Sequence, residues 1–351
     1  MIQYLQHTRR TACSPRVGNV HNGRVFCYAN SCEKPYSKIW RSYADQVGLL
    51  RARGLVIVDE EAAKKFLAYS NYYRFTGYCL RFQSIDPDSG ERLFNPGTTF
   101  EDVIAVYDFD KELRDCISSA LESIEISVRA SVAYNFSEAH GPFGHLRDDN
   151  FARPFAAKFY NSNGGVDSSR YDEWHRDLVS ETHRSNELFV RHFEQNYLQF
   201  PDLPIWTALE ICSFGTLSKM FANMLKLDMR PVAAAYAVQS SVLVSWLHTF
   251  VYVRNICAHH SRLWDKDIAI APQLPLGKKW EPVRPSCKKL YAVVMLLNWM
   301  LAHDSIDPKR HMEWKTRIEG LMDKFLIRFP SLVPYTGFPS AWKKGEIWSL
   351  I

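Results

Sequence analysis

Paired cysteines, a glycine-rich phosphate loop and strand-type alternation are all missing from this 351-residue chain, and each absence removes a class of protein. Its eight cysteines (Cys13, Cys27, Cys32, Cys79, Cys116, Cys212, Cys257 and Cys287) never form a C-x2-C or C-x2-C-H pattern, so neither a zinc cage nor a haem attachment is signalled. Scattered thiols suit a reducing compartment, and the expected location is the cytoplasm. Without G-x-G-x-x-G there is no dinucleotide-binding fingerprint, and no internal repeat points to a solenoid. Neither a cofactor nor a metal is expected. Charge of one sign is also scarce: 43 Lys and Arg face 38 Asp and Glu, for a net charge of +5. Such a surface gives weak support for a nucleic-acid partner and does not exclude one. Residues 1–30 lack a continuous apolar segment of the signal-peptide kind. The longest stretch without Asp, Glu, Lys or Arg, Pro231 to Val253, carries Gln239, Ser240, Ser241, Ser245, His248 and Thr249, so it reads as buried core helices rather than a membrane span. The apolar run 291–302 is too short to span.

What is present is helical periodicity over a hydrophobic content of 46%, enough for a substantial core. The fold class expected is all-α. Residues 1–33 read as a poorly ordered tail. Residues 34–98 form an N-terminal helical unit: Trp40, Tyr43, Val47 and Leu50 recur at helical spacing up to Arg53-Gly54. Asp59 then caps a second helix with Ala62, Ala63, Phe66 and Leu67 on one face. The turn formers of 80–98 predict an excursion or short hairpin. A main helical domain is expected over 99–330. Its longest periodic segment follows Thr99, carries the stripe Leu113, Ile117, Leu121, Ile124 and Val128, and stops at Gly141-Pro142. Glu125 and Arg129 are spaced for an i,i+4 pair on a face that otherwise reads as solvated. A flexible loop is expected over 161–169, followed by a charged helix over 171–197. The segment 201–224 should be broken at Gly215, with further helices over 232–238, 241–258, 287–302 and 308–328. Residues 331–351 read as a tail.

The most informative segment is RNICAHHSRLW, 254–264. Apolar positions Leu243, Trp246, Leu247, Phe250 and Val251 predict that the same face continues through 254, which puts Arg254 on a buried stripe. A buried guanidinium keeps its charge and needs an anion, either a carboxylate such as Glu210 or a phosphate. His259 lies five residues on, about 140° around an ideal helix, so one regular helix does not converge the two side chains. Either the helix frays near Cys257 or two copies of the helix meet across a symmetric interface and share a site. Asn255 is placed to orient His259, and His260 is either a second proton carrier or, as favoured here, a histidine interacting with the helix dipole. An arginine and a histidine suffice for attack of a ribose 2′-hydroxyl on its own phosphodiester, with His259 moving the proton and Arg254 holding the phosphate.

Arg254, Asn255 and His259 match the R-[polar]-x3-H motif of the HEPN superfamily. The ordered blocks KPYSKIW, Gln46, RGLVIVDEEAAKKFL, NYYRFTGY, YDFDKELRDCISSALESIEISVRA, LPIWTALEICSFGTLSKM and RNICAHHSRLW, over roughly residues 34–270, resemble the bacterial abortive-infection proteins of the Abi-D/Abi-F type, the Abi-like family. The resemblance implies a HEPN-like helical bundle with an N-terminal helical extension and a phage-defence ribonuclease that needs no metal. In it Arg254 and His259 are the catalytic pair and Asn255 and His260 flank them. RNA is implied as substrate, and a small noncoding RNA accompanies some members. Ser261 stands where the adenylylation-target HEPN toxins carry tyrosine, so that variant is not supported. Arg114, Glu122, Glu125 and Arg129 match a family block whose default role is core support. A homodimer and no membrane association are expected. The competing readings are a noncatalytic RNA-binding protein using Tyr72, Tyr73 and Arg74, and a helical scaffold in which Arg254 only clamps two helices.

Overall fold

The computed structural model describes residues 37–160, 166–304 and 308–350. The expected tail over 1–33 lies outside them. Along the chain run α1 (Tyr43–Ala52), α2 (Glu60–Ser70), α3 (Tyr72–Cys79), β1 (Gln83–Ile85), β2 (Arg92–Phe94), α4 (Phe100–His140), α5 (Arg153–Ala156), β3 (Lys158–Tyr160) and β4 (Val166–Ser169). Then follow α6 (Arg170–Arg184), α7 (Leu188–Asn196), α8 (Ile205–Ile211), α9 (Phe214–Asn223), α10 (Lys226–Ala235), α11 (Ser240–Ala258), α12 (Leu290–His303), α13 (Pro308–Arg328) and α14 (Val333–Thr336). The fold is mostly α. Its strands make two small antiparallel hairpins, β1 with β2 and β3 with β4. The first is the hairpin expected over 80–98. The second takes in 166–169, part of the loop expected over 161–169, while 161–165 lie outside the described residues.

Helix α4 is the axis of the molecule. Its 41 residues span about 60 Å at the α-helical rise, and α3, α8, α9, α10, α11, α12 and α13 all pack on it. The start is fixed by a reciprocal cap, Thr99 and Asp102 each satisfying the other's backbone N–H, and the end by Gly141 at φ +74°. The stripe Leu113, Ile117, Leu121, Ile124 and Val128 is buried as its spacing predicts.

Elsewhere the local reading and the structure differ for identifiable reasons. Trp40 precedes α1 and is 86% exposed, and Tyr43 is exposed too, so among the described residues Val47 and Leu50 are the buried positions of that helix. On α2 the buried face is Ala63, Leu67 and Ser70, with Phe66 half-buried and Ala62 exposed. Gly215 does not break 201–224; the break is at Cys212–Ser213, where the Ser213 hydroxyl accepts from Thr216 N and starts α9. The charged helix over 171–197 is divided between α6 and α7, and the helix expected over 232–238 is α10 with Pro231 inside it. The uncharged stretch from Pro231 to Val253 is thus split between α10 and α11, and among the described residues no helix is long and apolar enough to cross a membrane.

Residues 331–350 dock on the core through Leu332, Phe338, Trp342, Ile347 and Trp348. Asn298, fully buried on α12, donates to Ile347 O (2.7 Å) and pairs with His311 Nε2 of α13 (2.8 Å). Burial drives the His311 imidazole down to about 4 and that of His145 to about 3. Both folded values lie below the ordinary histidine value of 6.5, so protons favour the unfolded chain. Stability is full above about pH 6.5 and is lost as pH falls toward about 4, at up to about 1.4 kcal/mol per pH unit for each histidine. Urea titrations at about pH 7, 6 and 5 should show the midpoint falling at constant slope; a midpoint that does not move would show that neither imidazole is held neutral.

Candidate functional site

The site is built where α11 ends against the middle of α4. Val242, Leu243, Trp246, Leu247, Phe250, Val253, Ile256 and Cys257 form the buried face of α11. From Phe250 this face advances to Val253 and Cys257 rather than to 254 and 258, so Arg254 stands on the shoulder of the helix, partly exposed. The expectation that it continues the buried stripe is corrected: at 100° per residue the stripe drifts past position 254.

Helix α11 stays regular through Ala258 and ends in a six-to-one turn. His259 is the C-cap, His260 N donates to Cys257 O (2.9 Å), and Ser261 N donates to Ile256 O (2.9 Å). This is a Schellman closure, in which the residue after the cap is left-handed and is usually glycine. Here it is His260, at φ +53°. The Arg74 guanidinium of α3 donates to the His260 carbonyl at 2.6 Å and to Tyr107 Oη at 3.3 Å, pinning the strained turn from outside.

The chain beyond the turn is held by a buried carboxylate. Asp110 of α4, 0% exposed, accepts from Leu263 N (3.1 Å), Trp264 N (2.8 Å) and Tyr78 Oη (2.8 Å), and pairs with the Arg114 guanidinium one turn along. Two residues further, Asp265 lies between the guanidinium groups of Arg81 and Arg262, each 2.8 Å away, and Arg262 also donates to Gly77 O. Helices α3 and α4 and the strand of chain after α11 are therefore one polar unit, and His259 and His260 project from its edge.

On the other side of Arg254, a pocket of about 330 Å³ opens between α4 and α11, lined by Ser118, Leu121, Glu122, Glu125, Ile126, Arg129, Arg254 and Ala258. Glu125 and Arg129 pair at 2.6 Å with both side chains largely buried, so this part of α4 is not the solvated face its sequence suggests. Arg129 also donates to Glu210 O (2.8 Å) and Cys212 O (3.1 Å), closing the C-terminus of α8. Burial pushes the Glu125 carboxyl above its ordinary value, against the pull of Arg129 and Arg254.

Of the residues singled out in the sequence, Arg254 and Asn255 are in contact, but Asn255 Oδ1 accepts from Arg254 (3.2 Å), and what it shares with His259 is the helical bond from His259 N to Asn255 O. Glu210 is not the partner of Arg254. Its side chain is exposed in a separate open hollow with Glu181, Arg184 and Glu187, because α8 turns that edge away from α11; only its carbonyl reaches the site, through Arg129. Tyr72 packs half-buried against the core and Tyr73 is exposed. Arg74 is engaged with the end of α11. Sequence reading missed Asp110 and its role. The signal was there: Asp110 and Arg114 lie seven residues before Ile117 and Leu121, two opposite charges on an apolar stripe.

A family model described as Abi-like protein matches residues 65–265, more than half of the chain. The chain belongs to the Abi-like family. No curated protein and no solved structure matches it. The Abi-like match runs from within α2 to Asp265, so it takes in Arg74, Asp110, Glu125, Arg129, Arg254 and His259 and stops before α12. The part of this Abi-like chain covered by the family is thus the part that assembles the polar unit, while α12, α13 and the C-terminal stretch complete the core beneath it.

His260 offers a direct test of the turn. A non-glycine residue in the left-handed region carries a steric cost, which evolution of a purely structural cap would remove. His260→Gly should stabilise the fold by about 0.5–1 kcal/mol, after the greater unfolded-state freedom of glycine is allowed for, read as a higher urea midpoint. A loss of stability would show that the imidazole itself, not the backbone, holds the turn.

Proposed function

We propose that this chain is an abortive-infection defence protein of HEPN type that cleaves RNA by attack of the ribose 2′-hydroxyl, with no metal required. Membership of the Abi-like family supports the defence role. The ribonuclease reading is carried by one observation: Arg254 is spared from the core and opens on a pocket, with a neutral amide, Asn255, as its hydrogen-bond partner. Among the described residues Asn255 is its hydrogen-bond partner, which leaves its remaining donors to take a phosphate in bidentate fashion. His259 follows directly on Ala258, which lines the same pocket, and its imidazole is exposed. A guanidinium that neutralises the phosphorane and an imidazole that moves a proton are two of the groups the reaction uses.

Because α11 is regular through Ala258, Arg254 and His259 diverge around one helix, and a homodimer that apposes two α11 ends is the assembly that completes the site. RNA is the proposed partner, a bound small noncoding RNA a further one, and the cytoplasm the proposed setting. The alternative of a noncatalytic RNA-binding surface at Tyr72, Tyr73 and Arg74 is less favoured, since Arg74 is occupied by His260 and Tyr107.

The test is cleavage of a labelled mixed-sequence RNA by the purified full chain in EDTA. The expected products carry 2′,3′-cyclic phosphate and 5′-hydroxyl ends, and both are absent with Arg254→Ala and with His259→Ala. Cleavage that survives both changes, or that yields other ends, would overturn the reading.

A further inference from the structure

A single imidazole cannot both accept the 2′-hydroxyl proton and supply one to the departing 5′-oxygen in the same step, because the two oxygens lie on opposite sides of the phosphorus. A second proton-transfer group is required. Among the groups lining the Arg254 pocket, Glu125 has the position and the support for it. One of its oxygens is fixed by Arg129 at 2.6 Å. Arg129 is in turn anchored to the carbonyls of Glu210 and Cys212, so its two terminal nitrogens are committed to the protein and its role is to hold Glu125. Arg254, across the pocket, is left for the phosphate. Glu122, on the same wall, is exposed and has no such anchor among the described residues.

We propose that Glu125 is the general base of the site, resting on the ribonuclease reading above: its carboxylate takes the proton of the ribose 2′-hydroxyl while His259 protonates the leaving oxygen. As the 2′-oxygen bonds to phosphorus, its proton passes to Glu125. The bond from phosphorus to the 5′-oxygen breaks, and that oxygen takes the proton of the His259 imidazolium. The products are a 2′,3′-cyclic phosphate and a 5′-hydroxyl, and no oxidant or other reactant enters. The groups facing Glu125 are Glu122 and Arg129 on α4, Arg254 on α11, and Cys212 with the Glu210 carbonyl at the end of α8. Burial, and secondarily Glu122, raise the carboxyl while the two arginines lower it, and the net upward direction brings it closer to a working pH near neutrality.

The test is the pH dependence of single-turnover cleavage by the full chain, for the native sequence and Glu125→Gln. Glutamine keeps the acceptor that Arg129 uses and removes only the basicity. The rate should fall about 10²–10⁴-fold and the rising acid limb of the profile should disappear. A Glu125→Gln variant with an intact acid limb and a rate within about threefold of native would overturn the assignment and leave the ribonuclease reading standing; absence of cleavage by the native chain would overturn both. A second substrate keeps the question decidable if Glu125→Gln fails to fold. RNA with a bridging 5′-sulfur has a leaving group that needs no proton, so it should restore cleavage by His259→Ala. Failure of that rescue would show that His259 is not the acid and would remove Glu125 from the role of its complement.

Discussion

Asp110→Ala is expected to destabilise the fold by about 3–5 kcal/mol, the range for breaking one half of a buried ion pair. The carboxylate is wholly buried and collects two backbone N–H groups, a tyrosine hydroxyl and a guanidinium. Removing it strands Arg114, itself only 5% exposed, and orphans the N–H groups of Leu263 and Trp264 just beyond the RNICAHH turn. Two effects follow together: loss of global stability and loosening of the chain that carries His259 and His260. The double change Asp110→Leu with Arg114→Met should recover more than half of the lost stability, since a buried pair replaced by packing is often neutral. It should not recover the fixed geometry of 259–264, because the backbone groups remain without acceptors. Urea unfolding separates these outcomes, with hydrogen exchange at Leu263 and Trp264 reporting the second. A cost below about 1 kcal/mol for the single change would show that Asp110 is not the organiser of this segment.

How far the sequence discloses this arrangement depends on the range of each interaction. Caps and periodicity are local, and there the reading is close: Thr99 and Gly141 bound α4, Asp59 starts α2, and the Glu125–Arg129 pair forms at its i,i+4 spacing. The Arg74 contact with His260 joins residues 186 positions apart, and Asp110 meets Leu263 across 153. No local pattern encodes such partners; they are fixed only when α3 and the end of α11 both dock on α4. The same limit misassigned the partner of Arg254. Glu210 has the right chemistry and shares a neighbourhood in the fold, but the rotation of α8 sends its carbonyl, not its carboxylate, toward the site. The R-N-x3-H spacing was legible as a motif, and its geometry was not, because the exit of the chain after Ala258 is decided by a left-handed histidine.

His259→Ala should lower the single-turnover cleavage rate by about 10²–10⁴-fold, the usual contribution of a positioned proton-transfer residue. Stability should change by less than about 0.5 kcal/mol, because the imidazole is exposed and the turn is closed by backbone bonds that alanine keeps. That combination distinguishes chemistry from architecture. A histidine serving only the helix dipole would give the opposite pattern, a loss of about 0.3–1 kcal/mol of stability with an unchanged rate. Arg254→Ala should lose about 10²–10³-fold, the scale of removing one donor from a developing oxyanion, and Arg254→Lys should regain part of it, since lysine restores the charge but not the two-pronged donor. The pair of variants also bears on assembly. If each α11 supplies one group to a site shared between two copies, mixing inactive Arg254→Ala with inactive His259→Ala should restore up to about a quarter of native activity through mixed dimers in which one of the two sites is intact. If both groups act from one chain, the mixture should stay inactive, and the separation of Arg254 and His259 around the helix would have to be bridged by the RNA itself.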